Sequence, residues 1–497
     1  MNEPRPPTDE EWDATPQAVK DFFLATVARL EDTIQKQQVI IEQQQKTIER
    51  QQRTIERLEN RVSELEERLK LNSSNSSKPP SSDLNKTKKK KKAPGKRKRG
   101  AQKGHEGKTR TLLPIEEVDE IVSCVPQICS HCDHSFSGQE DEEPQRHQVT
   151  EIPPIKPFVT EYQLHSLVCP CCQKKTRGQL PEGVTFSAFG PRLQAIVSVS
   201  SGLYFNSRRK IVSMLEDFFG VVISLGSVSQ LERNTSAALE FPVQEAHEFV
   251  KKSDAANVDE TGYRQEKKKS WLWVAVTRFV TVFCAGLGRN RKALNILLGE
   301  SYHGIVTSDR YPVYKKYENH QRQLCWAHLI RDFERWILRG GKSEDLGLML
   351  LEQVDLMFKQ LKHARDGTLR RHLLQFRMNK IQKKVESLLF EATSCGHEKT
   401  EGTARDILGQ KEGLWTFVKL EEIEPTNNAA ERALRPAVIW RKRSFGADSR
   451  EGSRFVERIL TTNASLKAQD RDVLEYVTAA IQAHRRNELP PSLLPTP

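Results

Sequence analysis

The residue pattern predicts a multidomain α/β protein. Its mixed sheet is covered by helices, interrupted by an all-helical insertion, and preceded by a coiled coil, a cysteine-rich module and a helical region. Three observations carry that expectation. Apolar residues recur every seven positions from Val27 to Leu69. Two Cys-x-x-Cys pairs, Cys129/Cys132 and Cys169/Cys172, flank a stretch that reads as strands. Short β-branched runs then alternate with helical patterns between Ser253 and Arg339. With 497 residues, the chain is long enough for several domains and a sizeable core.

Residues 1–20 are rich in Pro and acid and are expected to be disordered. Residues 21–71 form the coiled coil: Val27, Ile34, Ile41, Ile48, Ile55, Val62 and Leu69 occupy one heptad position, and Leu30, Gln37, Gln44, Gln51, Leu58 and Leu65 the other. β-Branched residues at the first position with Leu at the ends of the second favour a parallel homodimer, and the three Gln weaken the seam and can fix its register. Residues 72–110 follow as a Ser/Pro linker and a basic tract. The formal charge is +12, and residues 86–110 alone carry thirteen Lys/Arg against one acid, Glu106, which accounts for all of it. Lys88, Lys89, Lys90, Lys91 and Lys92, then Lys96, Arg97, Lys98 and Arg99, are its densest parts. Such a run suits phosphates and makes DNA affinity salt-dependent; an import signal or a solvated linker would look the same.

Residues 111–185 are expected to be a zinc module, with Phe158–Val168 among its strands. Cys129, Cys132, Cys169 and Cys172 offer four thiolates to one structural Zn²⁺. The 36-residue gap is long, Cys171, His131 and His134 are possible substitutes, and a redox pair is the alternative. Nine cysteines, an odd number, with no signal peptide and no apolar run of about 18 residues, point to a reducing, cytoplasmic or nucleoid-associated setting without a membrane span. Residues 186–250 read as helices: Ser207 caps Arg208–Phe219, Gly220 ends it, and Gly226–Gln230 opens the next, compatible with a helix-turn-helix.

Residues 251–339 read as three strands, helix, strand, short helix, strand and helix. The strands are Ala255–Asp259, Trp271–Thr277, Val280–Ala285, Gly304–Ser308 and Gln323–Trp326; the helices are Asn290–Gly299 and Ala327–Arg339. This is the ribonuclease-H-like arrangement, with Asp259 and Asp309 at the ends of neighbouring strands. Residues 340–423 form the helical insertion, with Leu346, Leu350, Val354, Met357 and Leu361 as one stripe and Leu373, Phe376, Ile381, Val385 and Leu388–Leu389 as another. The core resumes over 424–475, and 476–497 form a C-terminal helix and tail. In Glu424–Pro436, Thr426 or Asn427 caps a short helix, Pro436 stops it, and Glu431 lies about one turn in. A surface pair between Glu431 and Arg435 is the plain alternative. Beyond it, Arg441, Lys442 and Arg443 supply further DNA-binding candidates.

Cutting a phosphodiester develops charge on both the attacking and the leaving oxygen, and two Mg²⁺ (or Mn²⁺) ions can stabilise it. Such hard ions need oxygen ligands on rigid elements. Asp259, Asp309 and Glu431 meet that need if the sheet forms as read; Asp254, Glu260, Asp332 and Glu457 compete, Glu260 most directly.

Several segments then become recognisable. Residues 72–83, the Cys169-Pro-Cys-Cys172 knuckle, Asp259-Glu-Thr-Gly262, Ser308-Asp-Arg310, Cys325-Trp-Ala-His328 and Glu424–Pro436 resemble, in the same order, the insertion sequence 66 family of bacterial transposases. The resemblance runs from the coiled coil to about residue 475. It implies a cut-and-strand-transfer enzyme with an Asp-Asp-Glu triad, which by motif falls on Asp259, Asp309 and Glu431, with His328 as a supporting candidate. It also implies inverted-repeat ends and target DNA as substrates, and two small accessory proteins. Gln173 stands where the family commonly has Gly. A repressor that kept the fold without catalysis, and a nuclease without joining, are the rival expectations.

Overall fold

The computed structural model describes residues 6–70, 110–138, 141, 143–444 and 446–495. The basic tract from Lys88 to Arg99 therefore lies outside the described residues, as does the Ser/Pro linker before it. The chain divides into two compact units. One is drawn from Met1–Leu84, Ile330–Val354 and Glu391–Gly402, the other from Asn85–Leu329, Asp355–Phe390 and Thr403–Pro497.

In the first unit, a short helix α1 (Asp9–Asp13) stands where disorder was expected. Thr8 and Glu11 form a reciprocal capping box that satisfies two backbone donors. Helix α2 (Gln17–Lys70) then runs for 54 residues, about 80 Å at 1.5 Å per residue. Its heptad residues Leu30, Ile34, Ile41, Ile48, Ile55, Leu58, Val62 and Leu65 are all exposed. The Ile330–Val354 segment carries most of helix α8 (Trp326–Ile337) and the start of helix α9 (Gly341–Arg365). These approach closely at Gly347, where a Cβ would lie 2.9 Å from the Phe333 carbonyl oxygen. Arg339 and Ser343 both donate to Thr400 Oγ1, at 2.9 and 3.1 Å.

In the second unit, the cysteine-rich module holds one hairpin, β1 (Ser166–Val168) with β2 (Lys175–Arg177). The expected strand over Phe158–Val168 shrinks to its last three residues. Phe158 and Val159 are almost fully exposed, so nothing rewards extending the ladder, and the prolines at 153, 154 and 157 precede it. Four helices follow: α3 (Pro191–Gly202), α4 (Arg208–Phe219), α5 (Leu225–Ala238) and α6 (Glu240–Lys251). Ser207 caps α4 as expected, and Gly220 ends it with φ +63°. Helix α5 opens one residue before Gly226, and Ser224 caps it by accepting from Ser227 N. Ile211, Leu215, Val228 and Leu231 close a small core with Val197.

The five-stranded sheet has the order β5-β4-β3-β6-β7, from β3 (Ala255–Gln265), β4 (Lys268–Val276), β5 (Thr281–Leu287), β6 (Ile305–Ser308) and β7 (Arg322–Leu324). β5-β4-β3 are antiparallel, and β3-β6-β7 are parallel. Strand β3 is longer than expected because it enters a two-residue turn in which Glu266 and Lys267 take φ +51° and +63°. Glycine-free turns of this shape carry no obvious signal. Asp259 is consequently inside β3, not at its end; it lies just past Asn257, the last residue paired with β6. Helix α7 (Arg291–Leu298) is capped by Asn290 and ended by Gly299, as read.

The helical segment continues with α10 (Arg371–Ala392), α11 (Glu398–Leu408) and α12 (Thr416–Lys419). Every residue of the first expected stripe is buried. The second is out of phase at its start: Leu373 and Phe376 are exposed, and Leu374 and Met378 are buried instead. Residues 374, 378, 381, 385, 388 and 392 keep the 3–4 spacing of one face, from which 373 is rotated by about 100°.

Helix α13 (Asn428–Ser444) passes straight through Pro436, which was expected to stop it. A proline removes one ladder bond, and here packing holds both halves: Leu434 and Ala437 are buried, and Trp440 stacks on Tyr263 at 6.1 Å. Helices α14 (Arg450–Ala468) and α15 (Val473–Arg485) close the chain. Among the described residues no helix is long and apolar enough to cross a membrane.

Helix α14 covers the open edge of the sheet. Thr281, Phe283 and Ala285 of β5 donate their backbone N–H groups to Ser465 Oγ, Thr461 Oγ1 and Glu457 Oε2, each at 3.0 Å. Two strand residues advance about 6.8 Å and four helix residues about 6 Å, so the two periods match over this length. An edge that could template pairing with another chain is thus satisfied internally. Thr461→Val keeps the shape but orphans the buried Phe283 N–H. It should destabilise this core by about 1–3 kcal/mol, read as a lowered thermal transition with no change in the transition of α2.

Candidate active site

Register sets the first two acids. Asn257 of β3 pairs with Thr307 of β6 in a parallel ladder, so two residues on, Asp259 and Asp309 stand side by side. Period two sends both side chains to the same face. Asp309 follows the last residue of β6, and its Oδ1 accepts from Tyr311 N at 2.8 Å, an Asx turn that fixes the carboxylate. Beneath it, buried Arg322 donates to the Asp309 carbonyl at 3.1 Å and to Gln410 Oε1 at 2.6 Å. Burial pulls this guanidinium down to about 10, which leaves it charged at neutral pH.

The third acid reaches this face on α13. Asn427, immediately before the helix and 1% exposed, donates its Nδ2 to the Val258 carbonyl at 2.8 Å. Its backbone N–H points to Cys325 Sγ at 3.1 Å, and its carbonyl accepts from Glu431 N at 3.1 Å. Trp326 N donates to the Pro425 carbonyl at 3.0 Å. At the far end, Arg441 donates to Gly262 O and Thr261 Oγ1. Helix α13 is therefore pinned along β3 on both sides of Glu431. The expected cap at Thr426 or Asn427 is in part realised: Asn427 occupies the position, but its side chain serves the strand.

The three acids act on one another electrostatically, although among the described residues they do not bring ligand atoms within 4.8 Å of one another. Burial pushes the Asp259 carboxyl up to about 8, and the charges of Glu260, Asp309 and Glu431 push the same way. Glu260, the nearest competitor, points to the opposite face. It pairs with Arg289 at 2.7 Å, accepts from the Tyr314 hydroxyl, and is raised chiefly by burial. Of the other rivals, Asp332 pairs with Arg335 and Glu457 belongs to the α14 edge seal. His328 Nδ1 lies 3.8 Å from Glu431 Oε1.

The remaining expected residues stand apart from this cluster. Cys129/Cys132 and Cys169/Cys172 form two knuckles of the same local shape. Asp133 N and Gln173 N donate back to Cys129 O and Cys169 O, with Asp133 at φ +59° and Gln173 at φ +55°. That conformation explains why Gly suits position 173. In each pair one thiol is held below its ordinary value by backbone N–H groups, those of His131 and Cys132 for Cys129 and of Cys172 and Cys171 for Cys169. Among the described residues the four sulfurs are not gathered within 4.8 Å of one another. Of the basic candidates, Arg441 is committed to β3, while Lys442 and Arg443 are exposed at the end of α13.

Sequence reasoning missed Asn427 as the clamp, Cys325 as its partner and Arg322 as the support under Asp309. A polar residue amid a buried strand, at 322, was the one available signal.

The described site is thus two acids side by side on parallel strands, a third carried on α13, and two Cys-x-x-Cys turns upstream. Comparison with known families places the chain. The family described as "Transposase IS66 family" matches residues 187–454, more than half of the chain. The "zinc-finger binding domain of transposase IS66" matches residues 126–173, and a "Family of unknown function (DUF6444)" matches 29–111. The chain belongs to the IS66 family of transposases, enzymes of the Asp-Asp-Glu type. It is also similar to the uncharacterized protein y4qI of Sinorhizobium fredii (strain NBRC 101917 / NGR234), at 24% identity over 291 residues. That alignment covers 53% of this chain, and the chain spans about half the length of that curated relative.

The Asp259 proton makes a pH prediction. The folded-state value, about 8, lies above the ordinary 3.8, so the folded chain keeps a proton that the unfolded chain has lost. Metal-free protein should lose stability as pH rises across that interval. Melting curves should show a shallower fall in Asp259→Asn than in the parent chain; equal slopes would remove this account of the site's charge.

Proposed function

We propose that this chain catalyses DNA transposition. It cleaves at the ends of its element and joins the freed 3′-OH to target DNA, with Asp259, Asp309 and Glu431 as the metal ligands of a ribonuclease-H-like core. The observation that carries this reading is the Asp259 carboxyl, which feels both Asp309 and Glu431 although they come from three elements spread over the chain. The sheet order, with β3 central and β6 beside it in parallel, supports the core assignment.

The residues suit Mg²⁺ or Mn²⁺. All three are hard oxygen donors on rigid elements. Their mutual repulsion is what a divalent cation relieves, and among the described residues the buried Oδ1 of Asn427 has no hydrogen-bond partner. When bound, the metal would stabilise charge on the attacking and leaving oxygens of the phosphodiester. The protein's part is to present the ligands. Asp259 must give up its proton, Asp309 is held by its Asx turn, and Glu431, with a side chain 35% exposed, stays reachable by a strand of DNA.

Around this centre, the lysine-arginine tract would hold phosphates without reading sequence. Cys129, Cys132, Cys169 and Cys172 would bring two preformed knuckles onto one Zn²⁺, coupling metal to the folding of that module. The exposed heptad stripe of α2 would pair two protomers, so that two element ends are handled together.

Two experiments test this reading. Labelled end DNA and a supercoiled target should give joined product with Mg²⁺ and none with chelator. Asp309→Ala or Glu431→Ala should cut joining by about a hundredfold or more, the loss of several kcal/mol of charge stabilisation, with binding to end DNA retained. Cleavage without joining would make this a nuclease, and binding without cleavage a repressor. For the dimer, Ile41→Asp combined with Ile48→Asp should sediment as a monomer.

A further inference from the structure

We propose that Cys325, His328 and Glu431 form a second metal site, selective for a thiophilic divalent ion such as Zn²⁺, which withdraws Glu431 from the other two carboxylates. The metal binding stands on the geometry alone; the inhibitory consequence rests on the function proposed above.

One ligand atom from each of the three residues lies within 4.8 Å of the other two. Tetrahedral zinc with Zn–S near 2.3 Å and Zn–N or Zn–O near 2.0–2.2 Å needs ligand atoms roughly 3.5 Å apart. The His328 Nδ1 to Glu431 Oε1 separation, 3.8 Å, is already near that spacing, and the remaining pairs lie within reach of small side-chain rotations. Cys325 immediately precedes α8 and His328 is its third residue, so one helical turn presents both; Glu431 comes from the first turn of α13. The helices are tied at this point by the bonds from Trp326 N to Pro425 O and from Asn427 N to Cys325 Sγ.

The donor set differs in kind from the neighbouring one. Asp259 and Asp309 offer only oxygen, which suits Mg²⁺, whereas a sulfur and an imidazole suit zinc or cobalt and are poor ligands for Mg²⁺. The sulfur is also held in place: the Asn427 N–H donates to Cys325 Sγ at 3.1 Å. His328 and Glu431 side chains, 23% and 35% exposed, give an ion a way in. Three protein ligands leave a fourth position for water or a phosphate oxygen. Glu431 belongs to both sets, so filling one competes with the other.

The test uses the full-length chain with its cysteine knuckles loaded with Zn²⁺, titrated with Co²⁺. The parent protein should take up one further equivalent with a thiolate-to-cobalt charge-transfer band. Cys325→Ser, whose hydroxyl can still accept the Asn427 N–H, should lose that equivalent. His328→Ala should weaken it by about tenfold to a hundredfold, and decides the matter if Cys325→Ser does not fold. Asp309→Ala, which disables the proposed catalysis, should keep it. Equal cobalt uptake in Cys325→Ser and the parent, or no uptake in the parent, overturns the proposal. In the joining assay at fixed Mg²⁺, added Zn²⁺ should inhibit the parent at about tenfold to a hundredfold lower concentration than it inhibits Cys325→Ser, each relative to its own zinc-free rate. Inhibition of both at one concentration overturns the competition. Absence of joining under any condition would instead count against the proposed function and leave the cobalt result standing.

Discussion

The site depends on how the chain returns to the sheet after residues 340–423. That return is made by one buried side chain, Asn427, which binds the Val258 carbonyl of β3, contacts Cys325 through its N–H and starts the helix that carries Glu431. A carboxamide can donate to a strand while its own backbone begins a helix; an aliphatic residue there would leave a buried carbonyl unpaired. Its neighbours Asp259 and Glu260 leave β3 toward opposite faces, so the clamp holds Glu431 against one face and not the other. Glu260 is neutralised by Arg289 and Tyr314, and Asp259 is left with acids for company.

That asymmetry is the electrostatic signature of the fold. A buried acid held among other acids is unfavourable unless something cationic shares the space or a proton is retained. Arg322 sits under the Asp309 backbone rather than beside its carboxylate, and Asp259 Oδ1 accepts the Glu260 N–H at 2.9 Å. Helix α13 contributes a second device at the same place, because its first turn also faces Cys325 and His328. On the two proposals above, donor sets of different hardness would share one carboxylate.

The surrounding architecture serves rigidity. Helix α14 seals the β5 edge through three side chains at four-residue intervals, and the stacking of Tyr263 on Trp440 holds α13 beyond its proline. Rigid carriers matter where carboxylates must be held together against repulsion. By contrast, the cysteine knuckles are built locally, each from a turn closed by one backbone hydrogen bond, with apolar residues such as Phe158 exposed in the sequence between them.

Much of this was legible in the residues themselves. The heptads of α2, the cap at Ser207, the Gly220 terminus, the strands at Trp271–Thr277 and Val280–Ala285, and the stripe from Leu346 to Leu361 are local patterns, and local patterns are written in periodicity and turn chemistry. Motif resemblance pointed to Asp259, Asp309 and Glu431 because they lie in recognisable strings. What sequence did not disclose depended on contacts between distant segments. Leu374 took the place of Leu373 in the core because a helix has one buried face and neighbours select its phase. Pro436 failed to end α13 because Tyr263 and Gly262 hold the far half of the helix, and Asn427 became a clamp because Val258 lies beside it. The chain alone determined which segments would be helix, strand or knuckle; tertiary packing decided which acids face one another, since burial and charge are properties of a place in space and not of a position in the chain.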